Sequence, residues 1–297
     1  MSRDWQADRR AVFDRDDHAC RYCETSGDPD EPTALRTVPV GAVPLDGTVH
    51  ESALVTVCTD CFRRLEAPTT ASDGDALESR ESLFGLVRTI TQTQGDAISD
   101  VAAVASLATS LPERLGAGAR DGADARGDEN ENGRDDADES DADGERVDDV
   151  AVEYRRHRRD VRLAIDLVDA SLERLDAVDD GRFDDDVQRS LETVGEAAAE
   201  LQTTLRRIVE RCETVPAGLG RCHGCFEPLP QEAGKTETTA CQTCGLEVRE
   251  TADWRRDDGA VAFDRLFSAI NDDLQSAPST TTTLTERATA LAAQLTA

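Results

Sequence analysis

The sequence predicts a mainly α fold with small α+β modules held by zinc, and three observations predict it. Through the middle of the chain apolar residues recur in alternating steps of four and three, the seam of packed helices. Eight of the nine cysteines fall in four Cys-x-x-Cys pairs, two before residue 62 and two after residue 221. Aromatics make up 4% of the 297 residues and there is one methionine. That composition argues against one large core and for small units joined by metal and helix pairing.

Charge narrows the setting. There are 62 acidic against 33 basic residues, a net charge of −29, and Lys235 is the single lysine. Acid spread along the whole length, with arginine replacing lysine, is the pattern of a protein solvated by carboxylates in concentrated salt, as in halophilic archaea. The competing reading is a disordered acidic interaction protein. At 1 M salt the screening length is about 3 Å, so self-repulsion of this size is tolerable there. The opening MSRDWQADRRAVFDRDD is charged throughout, and no apolar run approaches the ~20 residues of a membrane span. The expectation is a cytoplasmic protein with no membrane contact. In a reducing compartment the cysteine pairs read as zinc sites rather than disulfides.

Taken in order, residues 1–66 form a first unit: a short helix, a knuckle, a strand-rich middle and a second knuckle. APTTASDGD (67–75) is a linker by composition. Residues 76–115 read as a helix with its seam at Leu83, Val87, Ile90, Gln94, Ala97, Val101, Val104, Ala108, Leu111 and Leu115. Residues 116–145 are acidic and nearly free of large apolar side chains, which predicts a disordered loop. Two further heptad helices fill 146–215. The first runs through Val150, Tyr154, Val161, Ile165 and Val168. The second runs through Val187, Leu191, Val194, Leu201, Leu205, Ile208 and Cys212 and stops before Pro216. The short connection at DDGR (179–182) makes them antiparallel. With 76–115 they predict a three-helix bundle, or half of a dimeric one. Cys212 lies on the apolar seam, where a thiol behaves as a small hydrophobe. Residues 219–250 form a second zinc unit. In 260–297, two short amphipathic helices (260–275 and 284–295) are expected on either side of PSTTTT.

In the second unit, fifteen residues separate Cys225 from Cys241. Thiolates at i and i+3 are aimed at one ion by a tight turn, and two such turns complete a tetrahedron. Cys222, Cys225, Cys241 and Cys244 are therefore expected to hold one structural zinc in a zinc ribbon with a β-hairpin between the knuckles. Four protein ligands leave no position for water. His223 sits inside the first knuckle and is not needed as a ligand.

The first unit carries a resemblance. RRAVFDRDDHACRYCE (9–24), with Arg15-Asp16 before Cys20 and Cys23, LRTVPVGAVPL (35–45), and SALVTVCTDCF (52–62), ending in Cys58 and Cys61, resemble the zinc-knuckled HNH endonucleases over residues 9–66. The resemblance implies a ββα unit with a second structural zinc on Cys20, Cys23, Cys58 and Cys61. In that family a histidine takes the proton of the attacking water, an asparagine orients the loop, and a second histidine helps hold a divalent ion. By position these roles fall on Gly41, Ala53 and Phe62, none of which can perform them. Val40 is likewise no metal ligand. The resemblance thus implies a nuclease scaffold whose catalytic groups are gone.

Three functions stay open on sequence alone: a non-catalytic binding or assembly module, an active HNH endonuclease using His50, Asp46 and Glu51 instead, and a transcription-associated zinc-ribbon factor. YRRHRRDVR (154–162), with Arg155, Arg159 and Arg162 on one helix face, reads either as a phosphate-contacting patch or as a solvated, ion-paired face. Nucleic acid, a protein partner, or a second copy through the heptads are the partners these features admit.

Overall fold

Four long helices carry most of the protein. The computed structural model describes residues 5–27, 34–41, 43, 49–66, 79–116, 136–178, 183–230 and 240–296, with side chains from residue 9 in the first helix and from 147 in the helix that opens at 136. In chain order the elements are α1 (Trp5–Arg15), β1 (Leu35–Pro39), β2 (Leu54–Cys58), α2 (Thr59–Leu65), α3 (Arg80–Arg114), α4 (Asp136–Asp176), α5 (Asp185–Gly218) and α6 (Phe263–Thr296). No described helix is long and apolar enough to cross a membrane.

The expected heptads form the core. Leu83, Val87, Ile90, Val101 and Leu111 of α3 meet Val150, Tyr154, Val161 and Ile165 of α4 and Val187, Val194, Leu201 and Ile208 of α5. The starts of α3 and α5 lie where a side chain can hold the first free N–H groups. Ser79 and Ser82 make a reciprocal cap on α3, and Asp184 caps α5 through the Val187 N–H. Gln94, the polar member of the α3 seam, is buried and donates to the Ala198 carbonyl at 2.7 Å.

The bundle has four helices, not three. The segment expected as two short helices is one, α6, and it packs on α5 and α3. Its buried residues Leu266, Ile270, Ala277, Leu284, Leu291 and Leu295 keep one heptad register across Pro278, which is exposed. The hydroxyls of Thr281, Thr282, Thr283 and Thr285 bond back to the carbonyls four residues earlier, so this polar stretch satisfies itself within the helix. Pairing with α5 supplies the burial that outweighs the missing proline N–H. Two other boundaries move. α5 continues through Pro216 to Gly218. α4 opens at Asp136, inside the stretch expected to be disordered, whose residues 117–135 lie outside the described residues, as does the linker 67–75.

The first unit docks against α4. β1 and β2 pair antiparallel, from Leu35 opposite Cys58 to Pro39 opposite Leu54. Val38, Val40, Val55 and Val57 project from one face of this hairpin and pack on Leu163 and Leu167 of α4. On the other side Leu54 packs with Val12 of α1. Arg15-Asp16 staples α1 to the second strand: the Asp16 carboxylate accepts from Thr56 N at 2.9 Å, and Arg15 donates to the carbonyls of Glu51 and Leu54. Arg174 of α4 donates to the carbonyls of Arg63, Arg64 and Glu66, the free end of α2. A bidentate Arg21–Asp160 pair and a Tyr22–Thr93 hydrogen bond complete the docking.

Candidate metal centres

The two expected quartets are assembled. The sulfurs of Cys20, Cys23, Cys58 and Cys61 lie within 4.8 Å of one another, and so do those of Cys222, Cys225, Cys241 and Cys244. Cys23 and Cys58 stand 3.6 Å apart, Cys222 and Cys244 3.5 Å, and Cys225 and Cys241 3.7 Å. A Zn–S bond of ~2.3 Å sets the edge of a sulfur tetrahedron at about 3.8 Å, and a disulfide needs ~2.05 Å. The separations fit the first and exclude the second. Two clusters of four cysteines each therefore suit two structural zinc ions.

Three of the four pairs share one backbone form. The N–H of Cys20, Cys222 and Cys241 donates to the carbonyl of Thr25, Glu227 and Leu246 respectively, at 2.8–2.9 Å. The residue after the second cysteine returns to the first cysteine's carbonyl through Glu24, Phe226 and Gly245. All three take positive φ, at 58°, 67° and 76°, although only one is glycine. The fourth pair differs. Cys58 ends β2 and caps α2, accepting from the Cys61 N–H at 3.5 Å. The first quartet is thus one knuckle plus a strand-to-helix turn, and the second is two knuckles facing each other. Gly224 fits closely there: a Cβ would lie 2.3 Å from Leu246 Cδ1, and that side chain would have to move. The expected hairpin between the knuckles falls on residues 231–239, outside the described residues; the flanks form isolated bridges, Arg221–Pro228 and Ala240–Glu247.

Crowding four sulfurs sets their acidity. The Cys61 hydrogen bond pulls Cys20 down to about 4, and Cys222 and Cys225 do the same for Cys244. Cys61 is pushed up first by its bond to Cys20, and Cys225 first by its bond to Cys222 and then by that to Cys244. One thiolate per quartet comes readily; all four need a cation at the centre, which zinc supplies. Cys212 joins neither quartet and is buried on the bundle seam, where burial raises its thiol.

The positions to which the resemblance assigns catalytic groups carry none, and one of them, Gly41, is covered by the bundle. Gly41 donates its N–H to Asp166 Oδ2 of α4 at 2.9 Å, at φ 75°. A Cβ there would lie 3.3 Å from Arg162 Cδ. Val40 and Ala53 are buried, and Phe62 lies under the Arg36 guanidinium, 4.4 Å from ring centroid to Cζ. His50 bonds Ser52 through Nδ1 at 2.9 Å. No third group of metal-binding side chains forms around it among the described residues, and Asp46 lies outside them.

Sequence reasoning missed a buried charge cluster. Glu213 of α5 accepts from Arg158 Nε at 2.9 Å, from Arg162 at 3.1 and 2.6 Å, and from Arg249 at 3.0 and 2.7 Å. Burial alone would raise its carboxyl, but Arg162 and Arg158 hold it well below the usual range. His223 lies beside this cluster, pushed down to about 4 by burial, and its carbonyl accepts from Tyr154 Oη at 3.1 Å. Arg155 donates to the Cys225 carbonyl. The arginine run of α4 is therefore not a solvated face: Arg158, Arg159 and Arg162 are buried. A signal was present in part, since the arginines at 155, 158, 159 and 162 recur at i, i+3, i+4 and i+7 and so form one continuous stripe on the helix.

Searches against family models, curated proteins and solved structures find no match to this chain.

Proposed function

We propose that this protein is a zinc-held, HNH-endonuclease-like module that does not cut nucleic acid and serves in binding or assembly. The observation that carries the reading is the docking of the hairpin face on α4. Where a nuclease needs an open cleft with a general base, Gly41 is pinned to Asp166 and closed over by Arg162. Losing the base alone removes about 10²–10⁴ in rate, and no described residue replaces it. A non-standard metal site at His50 is opposed by charge, because the hollow that His50 lines is dominated by arginine. The two facing knuckles of the second unit act in this reading as a zinc ribbon that locks α4 to α5, with Arg249 on Glu213 and Arg155 on Cys225. The acid balance favours a protein partner over nucleic acid, since a −29 chain repels phosphate and phosphate contacts weaken further in molar salt.

The test is plasmid incubation in molar KCl with Mg²⁺ or Mn²⁺, wild type beside His50→Ala. No cleavage above a protein-free control is expected from either. Cleavage by the wild type that disappears in the variant would contradict the proposal.

A further inference from the structure

Between the first zinc unit and α4 lies a hollow of about 250 Å³. Arg155, Arg156 and Arg159 of α4 line it, with Arg15 of α1 and Arg21 of the first knuckle. Two carboxylates, Asp16 and Glu51, face these five arginines. In a chain of net charge −29 the local balance is inverted.

Most of these arginines have work inside the fold. Arg15 bonds Asp16 and two carbonyls, Arg21 pairs with Asp160, and Arg155 donates to the Cys225 carbonyl. Arg159 differs. It is 7% exposed, and among the described residues it makes no hydrogen bond or ion pair. Burial first, then Arg15 and Arg155, push its pKa down to about 9, although Asp16 and Asp160 pull the other way. Its guanidinium lines the hollow with no protein partner, and an anion entering the hollow would supply one.

We propose that this hollow binds the phosphate group of a small phosphorylated molecule, with Arg159 as its principal contact. A guanidinium presents a planar fork that matches phosphate oxygens two at a time. The volume lies just below the range of small-molecule sites, which starts at about 300 Å³, so it suits a phosphate group with a small organic part, and a duplex does not enter a space of that size. Val152, exposed at 58%, stands at the lining and offers an apolar surface to the organic part of the ligand. The inference rests on the hollow and does not depend on the hairpin's resemblance to a nuclease.

The experiment uses the full chain loaded with zinc, at fixed KCl concentration and ionic strength. Inorganic phosphate and glycerol 3-phosphate are titrated by calorimetry, with glycerol as the blank. Saturable binding is expected for both phosphates and none for glycerol. Arg159→Gln should weaken binding at least tenfold while its own melting temperature stays at or above that of the wild type, because a stranded charge has been removed. Should that variant fail to fold, Arg156→Gln, at an exposed side chain, should weaken binding severalfold. Arg189→Gln, at an exposed site on α5 outside the lining, should leave it unchanged. A linear, non-saturating response would overturn the proposal, as would equal binding by wild type and both pocket variants. Competition by an oligonucleotide without terminal phosphate, as strong as by glycerol 3-phosphate, would also overturn it and assign the hollow to nucleic acid.

Discussion

Asp166 shows at the scale of one residue how the bundle closes the hairpin. Its carboxylate holds the Gly41 N–H, and burial pushes its pKa up to about 6 from 3.8, with that hydrogen bond and Arg162 opposing. A carboxyl that binds its proton more tightly when folded makes stability fall as pH rises through 3.8 to about 6. Asp166→Asn keeps an acceptor for Gly41 and removes the buried charge. It should stabilise the protein by about 1–3 kcal/mol at pH 8, and the gain should fade to nothing by about pH 4, read from denaturant unfolding at each pH. Destabilisation at pH 8 would instead make the ionised form a needed partner of Arg162. None of this was legible in the sequence. Gly41 could be seen to lack a base, but what lies over it comes from a helix more than a hundred residues away. The same holds for Glu213, which looks like any acidic residue of α5 until Arg158, Arg162 and Arg249 converge on it. The eight zinc-binding cysteines were legible because ligand spacing is local: two thiols at i and i+3 already describe half a site.

Among the elements, α3, α4 and α5 were readable from their heptads, and α6 was readable only in part. PSTTTT looks like a break because proline and hydroxyl residues weaken an isolated helix. The register from Leu266 to Leu295 nevertheless runs through it unchanged, and periodicity across the suspected break was the better guide. If α6 is a full member of the bundle, Leu291→Ala should cost about 2–5 kcal/mol in a denaturant titration, the range for a buried leucine. A loss below ~0.5 kcal/mol, typical of surface changes, would make α6 an appendage. The seam of α4 misled in the other direction. Heptads give one buried face, yet Leu163 and Leu167 bury a second against the hairpin, so a helix packed on two sides reads from sequence as one packed on one side.

For the whole molecule, the expectation of no large single core does not hold: one apolar cluster runs through all four long helices, and the two quartets sit in small clusters beside it. The second unit does not stand apart: Arg249 reaches Glu213 between α4 and α5, and Val43 of the first unit packs against the second quartet. Both zinc units therefore meet along α4, and the acidic exterior is left to the solvent. Both quartets are closed, four-sulfur sites suited to structural zinc. Zinc analysis joined to zinc X-ray absorption on the purified chain tests this most directly. Two zinc ions per chain are expected, each surrounded by four sulfurs at about 2.3 Å. One zinc per chain, or nitrogen or oxygen bound to the metal at ~2.0–2.1 Å, would contradict this.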